Sequence, residues 1–356
     1  MTLLVILGAG ASHDLMPSAN LAARPPLTSE IFSRFTDFLE HYPGAAEAWN
    51  KMLHGLGTEG QTIETQLQAL RDESVQYDPL KRQLLAVQFF LQHIFSKVSS
   101  DWSKDSYPGE VNNLRYLVGE LERWRDKSDQ RLLYVTFNYD TLLENAIQRE
   151  PGTVFETMDR YLGSERSVIK VHGSWNWKRV AAGKAPPHSG ERAYYRAVIE
   201  AAPQLTPTPV YHVIANAQQV ALDGQQAGVE GSVLLPAVAI PVVRKDASEF
   251  NCPKDHLDRL RQWLKDVNIA LVVGWHGAEE HFLKELAGNL KAGTQLTIVG
   301  QPLEGADPSL RQEAVGASDL AWVQAARQFG SAVKYRTGFS AFIRDHVDEW
   351  MAALPQ

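Results

Sequence analysis

The sequence predicts an α/β protein: a doubly wound, mostly parallel, Rossmann-like sheet with a helical insertion and no zinc module. Three observations carry that expectation. Short aliphatic and β-branched runs recur along the chain and stop at glycine or a small polar residue, as strands buried on both faces do. Helical periodicity fills the intervals between several of these runs, the alternation that a parallel sheet requires. One long block, from Trp49 to Arg125, is helical in pattern and contains no strand-like run.

The first strand is Leu3 to Leu7, which stops at Gly8 and leads into the loop Gly8-Ala9-Gly10-Ala11-Ser12. Pro17, Pro25 and Pro26 forbid a long helix after it. Thr28 has the chemistry of an N-cap, with Glu30 in the first turn and Ile31, Phe35 and Phe38 on one face. Arg131 to Phe137 is the second strand, closed by Asn138, Tyr139 and Asp140, with a helix expected from Thr141. Ser167 to Val171 is the third and ends at His172-Gly173. Further runs are Ser232 to Leu235, Ile269 to Val273 ending at Gly274, Gln295 to Val299 ending at Gly300, and Val333 to Tyr335. Helices are expected over 255–267 and 279–290. Residues 181–230, rich in Ala, Gly, Pro and Gln, read as loop with room for one helix. The whole of 1–356 reads as one domain, with 41–128 as the helical insertion.

Composition narrows the function classes. A hydrophobic fraction of 44% and a charged fraction of 22% are those of a globular chain rather than a disordered one. The net charge of -7, with no basic run, disfavours direct nucleic-acid binding. Cys252 is the single cysteine, so neither an intramolecular disulfide nor a multi-cysteine zinc site is available, and a reducing cytoplasm is the expected setting. The apolar start lacks a basic region and is too short for a signal peptide. No segment reaches the roughly 20 apolar residues of a membrane helix; the run 233–243 is interrupted by Pro236 and Pro241.

In an open parallel sheet, ligands bind outside the carboxyl ends of the strands. Gly8, Gly10, Asn138, Asp140, His172 and Gly274 all fall at such ends, so residues far apart in sequence are expected to share one cleft. Small residues in the Gly8 loop let backbone N–H groups approach a pyrophosphate, although the same glycines suit a tight turn. No third glycine completes a dehydrogenase fingerprint. Asn138 and Asp140 suit either an N-cap or a polar site, and His172 either a turn or a general base. Trp175 and Trp177, at alternating spacing, fit a half-buried hairpin. His276 and His281, five apart, are poorly placed to share a metal and read as surface positions.

Gly8-Ala9-Gly10-Ala11-Ser12 resembles the sirtuin Gly-Ala-Gly-x-Ser loop. Thr136-Phe137-Asn138-Tyr139-Asp140 is similar to the sirtuin Thr-x-Asn-x-Asp segment, and Lys170-Val171-His172-Gly173-Ser174 to the segment with the catalytic histidine. Val272-Val273-Gly274-Trp275 resembles the late strand end on the adenosine side. The Asn-Tyr-Asp and His-Gly-Ser forms are closer to those of prokaryotic sirtuin-like proteins of antiphage defence, of the Thoeris and sirtuin-plus-HerA types. The matches are short motifs, in the family's order, within roughly 3–300. Two departures stand out: the paired zinc cysteines of the protein deacylases are missing, and Pro26-Leu27-Thr28 stands where Gly-Ile-Pro-x-Phe-Arg would follow.

The resemblance implies NAD as the substrate, with no metal, and cleavage of its nicotinamide–ribose bond. Asn138 would hold the ribose or the attacking water, His172 would be the general base, and Asp140 would orient Asn138 or contact the nicotinamide side. Gly8, Ala9, Gly10 and Ser12 would cradle the phosphates, with Thr136 and Gly274 completing the cofactor-binding set. It also implies a homo-oligomer, or a HerA-like ATPase or other defence subunit as partner. The alternatives are a non-catalytic NAD or ADP-ribose sensor, an assembly subunit, and, disfavoured by the missing cysteines, a protein deacylase.

Overall fold

The computed structural model describes residues 1–16, 24–56, 61–103, 112–128, 130–149, 152–184, 191–214, 232–243, 250–277, 279–300, 313–314 and 329–355. Strand β1 (Thr2–Leu7) is buried throughout. The loop after it turns into a short helix α1 (Ala9–His13). The Thr28 turn begins differently from the sequence expectation. The Thr28 side chain makes no cap; the Glu30 carboxylate instead accepts the Leu27 N–H at 3.0 Å and closes a short 3-10 turn. α2 (Ile31–Arg34) and α3 (Thr36–Leu39) follow, with Ile31 buried and Phe35 half-buried. The side chain of Phe38 lies outside the described residues.

The helical block resolves into α4 (Pro43–Gly55), α5 (Ile63–Ser74), α6 (Asp78–Ser103) and α7 (Asn113–Ser128). Strand β2 (Arg131–Thr136), helix α8 (Leu142–Ile147) and strand β3 (Arg166–Lys170) come next. The chain then leaves the first sheet. β4 (Gly173–Ala182), α9 (Glu191–Ala201), β5 (Thr206–Val213) and β6 (Ser232–Val238) build a second, antiparallel sheet in the order β5-β4-β6. Two expectations are corrected here. The run at Ser232 belongs to this small sheet, and the stretch from 181 contains, besides the one helix the sequence allows, a strand. Buried strands of either kind read alike as apolar runs, because periodicity records burial and not the partner strand. Trp175 and Trp177 do lie on an antiparallel pairing, with Trp177 fully buried.

The remaining elements are α10 (Lys254–Leu264), β7 (Val267–Val273), α11 (Glu280–Asn289), β8 (Thr294–Val299), β9 (Glu313–Ala314), β10 (Phe329–Tyr335), α12 (Phe339–Asp345) and α13 (Val347–Ala352). The main sheet runs β3-β2-β1-β7-β8-β10-β9, parallel except for β9. Counting only its parallel strands along the chain, the order is 3-2-1-4-5-6, that of dinucleotide-binding folds. From β1 the chain builds outward first through β2 and β3, then on the other side through β7, β8 and β10. The order therefore reverses between β1 and β7, which opens a crevice at their carboxyl ends.

Helices cover both faces of this sheet. α7 packs on β2 and holds α8, α12 and α13 beside it, while α10 packs on β1 and β3 and touches α11. That double cover explains why β1 and β7 are almost wholly aliphatic, each buried Leu, Ile or Val contributing about 1.5–3 kcal/mol. The long α6 lies against β4, β6 and α9, so the helical layer joins the small sheet to the rest. Gln92 on α6 donates to the Trp175 carbonyl at 2.6 Å and accepts from Lys178 at 2.6 Å. Among the described residues no helix is long and apolar enough to cross a membrane.

Candidate functional site

The carboxyl ends of the central strands finish level. Gly8 N–H donates to the Val273 carbonyl at 3.0 Å, Phe137 N–H to Leu7 at 3.1 Å and Val171 N–H to Thr136 at 3.0 Å. Gly274 N–H continues the row to Val299 at 3.0 Å. The strand-end residues singled out in the sequence thus emerge along one edge, around the β1–β7 crevice.

The glycines are required by backbone contact. Gly8 is extended, at φ -103, so its conformation suits any residue. Its space does not: a Cβ would lie 2.4 Å from the Gly274 carbonyl oxygen. Gly274 has φ +60, and a Cβ there would lie 2.3 Å from the Ala11 nitrogen. Gly10 N–H donates to the Gly274 carbonyl at 3.1 Å. The loop after β1 therefore rests directly on the end of β7, with no side chain between them. Ala9 is exposed at the start of α1, and among the described residues its N–H has no acceptor.

Asn138 does not cap the next helix. Its Nδ2 donates to the Gly8 carbonyl at 3.0 Å and to Ser12 Oγ at 2.9 Å, while its own N–H donates to Thr136 Oγ1 at 3.1 Å. With both amide hydrogens engaged, Oδ1 is the hydrogen-bonding group that this half-buried side chain has left to present. Thr136, buried, thus fixes the Asn138 backbone, and buried Ser12 faces Asn138 with its hydroxyl. Asp140 is the residue that caps: its Oδ1 accepts the Leu142 N–H at 3.1 Å, at the start of α8. Burial pushes the Asp140 carboxyl above its ordinary value, opposed by the Lys170 ammonium, the Leu142 N–H and the Ser12 hydroxyl, and assisted by Glu144.

His172 is 3% exposed and sits one strand beyond Asn138. Its ring meets Phe137 edge-on at 5.0 Å, and Phe137 stacks on Trp275 at 4.7 Å. Phe282 closes the group at 5.1 Å from Phe137. A Cβ on Gly8 would lie 2.7 Å from Trp275 Cβ, so the glycine also leaves room for the base of this wall. The His172 carbonyl accepts from Ala239 N–H at 2.9 Å, and Gly173 at φ +77 could not carry a Cβ, which would lie 1.8 Å from the Ala237 oxygen. The glycine after the histidine is thereby explained by the close approach of β6.

The structure therefore joins Gly8, Gly10, Ser12, Thr136, Asn138 and Gly274 by direct contacts and His172 through Phe137, while Asp140 stands two residues beyond Asn138 at the start of α8. Sequence reasoning missed the aromatic wall, together with Lys170 and Glu144 beneath Asp140. A signal existed for Lys170 alone, which interrupts the apolar strand Ser-Val-Ile-Lys-Val. His276 is exposed as expected, but His281 is buried, packed edge-on to Phe250 at 4.5 Å, which corrects its surface assignment. Cys252 is buried and its thiol is pushed far up by that burial, which removes it as a thiolate nucleophile. Among the described residues no three His, Cys, Asp or Glu side chains group as a metal site.

No family model matches the chain, and no curated protein matches it. Solved structures do overlap it. A Sir2 homologue mutant in complex with ADP-ribose is 14% identical, covers 100% of this chain and 95% of its own, and gives a TM-score of 0.40. A Sir2 complex with a p53 peptide and NAD+ is 14% identical over 99% and 94%, with a TM-score of 0.38. Sir2Tm bound to a propionylated peptide is 14% identical over 98% and 92%, with a TM-score of 0.36. Overlaps this loose assign no activity to this chain.

Proposed function

We propose that this chain is a sirtuin-like NAD glycohydrolase that releases nicotinamide and leaves ADP-ribose or a cyclised form of it. The observation that carries the proposal is the Asn138 amide, tied by both hydrogens to Gly8 and Ser12 at the β1–β7 crevice. A fixed carbonyl oxygen beside a glycine loop suits a ribose hydroxyl or a water below it.

In this reading NAD is the substrate and spans the crevice. The backbone of Gly8, Ala9, Gly10 and Ser12 takes the phosphates, the Ala9 N–H being available for one of them, and Gly274 borders the adenosine side. Loss of nicotinamide makes the ribose carbon oxocarbenium-like. Asn138 Oδ1 orients the hydroxyl or water, and His172 takes the proton as it is lost. Asp140 orients Asn138 or contacts the nicotinamide side, while Phe137 and Trp275 keep bulk water from the imidazole. The three motifs in sirtuin order support this assignment, and the lone cysteine argues against the zinc-bearing deacylases.

An unrestrained NAD hydrolase would drain its own cell, so control by assembly goes with the activity. We place the chain in a cytoplasmic antiphage-defence system, as a homo-oligomer or with a HerA-like ATPase or other defence subunit. The helical block 41–128 is the candidate docking surface.

The test is nicotinamide release from NAD by the purified full chain. Asn138→Ala and His172→Ala should each lower the rate by about 100-fold or more, the usual contribution of a positioned acid–base group, while leaving the protein folded. Near-normal rates in either variant would remove the assigned role. NAD binding without turnover would instead identify a sensor, and NAD-dependent deacetylation of an acetyl-peptide would identify a deacylase.

A further inference from the structure

One face of α6 is polar where it meets the candidate site. Gln88, Gln92 and Ser99 lie within about 40° of one another around this helix, at about 100° per residue. Gln92 and Ser99 are buried, in a helix whose other buried positions are apolar. All three side chains bind backbone, and each bound residue adjoins a site segment. Gln88 Nε2 donates to the Val238 carbonyl at 2.8 Å, and the next residue, Ala239, donates its N–H to the His172 carbonyl at 2.9 Å. Gln92 Nε2 donates to the carbonyl of Trp175, shortly after His172, at 2.6 Å. Ser99 Oγ accepts the N–H of Thr141, which follows Asp140, at 3.1 Å.

These tethers meet a part of β4 that leaves its ladder. Gly173 pairs with Val238 and Lys178 with Pro236, so between them Ser174 to Trp177 on β4 stand against Ala237 alone on β6. A bulge of this kind re-aims its strand. Here it turns β4 towards the Asn138 segment. The Trp175 N–H donates to the Tyr139 carbonyl at 2.9 Å, the Ser174 hydroxyl to the same oxygen at 3.3 Å, and the Trp175 indole to Thr141 Oγ1 at 3.3 Å. The Tyr139 hydroxyl closes the ring on the Ala239 carbonyl at 2.8 Å. Trp175 pairs with neither β5 nor β6, and its carbonyl takes a hydrogen from Gln92. The other end of that amide is also engaged: Oε1 accepts from the buried Lys178 ammonium at 2.6 Å, which leaves the NH2 group for the carbonyl. An apolar side chain would fill the same space but make neither bond.

We propose that Gln92 is a positioning residue which, with Gln88 and Ser99, holds the His172 and Asn138 segments against α6, so that the helical block sets the spacing of the two side chains. Its effect on turnover rests on the NAD-hydrolase reading; its effect on the spacing does not. Because α6 also packs on α4 and α5, a load on the block reaches both segments together.

The experiment uses the full chain and Gln92→Glu. A glutamate still accepts from Lys178 but has no hydrogen for the Trp175 carbonyl. The His172 ring proton and the Asn138 side-chain amide are followed by NMR without NAD, assigned by their loss in His172→Ala and Asn138→Ala, and nicotinamide release is measured beside them. Both signals should shift in Gln92→Glu. Its kcat should fall by about 100-fold, the effect of misplacing reacting groups by an ångström. KM should hardly change, because the Gly8–Gly274 contact is untouched. Lys97→Ala, on the exposed face of the same helix, should leave signals and rate as they are; equal shifts there would overturn the role given to the polar face. If Gln92→Glu does not fold, Gln88→Leu and Ser99→Ala decide by the same readouts. Unmoved His172 and Asn138 signals overturn the proposal whatever the turnover, and so does an unchanged kcat where the parent cleaves NAD. Shifted signals in a protein that never cleaves NAD leave the positioning role standing and refute the hydrolase.

Discussion

Ser12 holds the Asn138 amide through a single buried hydroxyl, 2.9 Å from Nδ2. Ser12→Ala should therefore keep the fold and lower nicotinamide release by about 100-fold; an unchanged rate would show that Asn138 needs no such support. Gly8→Ala tests the backbone contact instead. The added methyl meets the Gly274 carbonyl at 2.4 Å, so overpacking should cost about 1–3 kcal/mol in a denaturant melt. His256 sets a pH limit of its own. It is fully buried between Tyr161 and Trp177, with Nε2 3.2 Å from the Met158 carbonyl. Burial lowers its pKa from the ordinary 6.5. The folded state then binds fewer protons than the unfolded one below that value. Stability should be full above pH 6.5 and fall as the pH drops towards the folded pKa. Urea midpoints for the parent and His256→Phe across pH 5–8 check this, and an identical pH slope in the two would contradict it.

At the level of elements, the first and last parts of the main sheet are tied by a small polar clasp. Asp14, just after α1, accepts the Ser340 N–H at 2.8 Å and the Ser340 hydroxyl at the start of α12. Asn113, heading α7, donates to the Asp14 carbonyl at 2.6 Å and to Ser340 Oγ at 2.8 Å. Three elements from distant parts of the chain thus meet at Asp14 and Ser340. Asp14→Ala should cost about 2 kcal/mol, the range for hydrogen bonds to a charged group. Amide exchange over 338–352 should accelerate more than in α10, on the opposite face. Uniform acceleration would mean that the clasp does not hold α12 locally. The helix α6 plays a comparable part elsewhere, since Gln88 and Gln92 both donate to backbone carbonyls of the small-sheet segment.

For the whole molecule, the parallel sheet places the site and the small sheet with the helical block is added beside it. β3 runs directly into β4 through His172 and Gly173, so the second sheet is attached at the candidate base itself. A partner that gripped the helical block would press on β4 and β6 through α6. Turnover should accordingly depend on protein concentration or on neighbouring gene products, measured as the nicotinamide rate per protomer over a dilution series. Full activity in a dilute monomer alone would refute control by assembly.

The sequence alone determined the strand ends of the parallel sheet, because a run buried on both faces must be apolar and must stop where the chain turns. It determined likewise that Gly8, Asn138, His172 and Gly274 lie along one edge, since a parallel sheet brings all its carboxyl ends together. The helical block between β1 and β2 was legible for the same reason, its periodicity extending over several helices. Only the tertiary structure decided that Ser232 pairs with β4 instead of joining the main sheet, because an apolar run does not encode its neighbour. It also decided what each glycine is for and which way the Asn138 amide faces. The pairing of Lys170 with Glu144 was equally hidden. Spacing in the chain cannot report it, since the two side chains come from different elements and meet only when α8 packs beside β3.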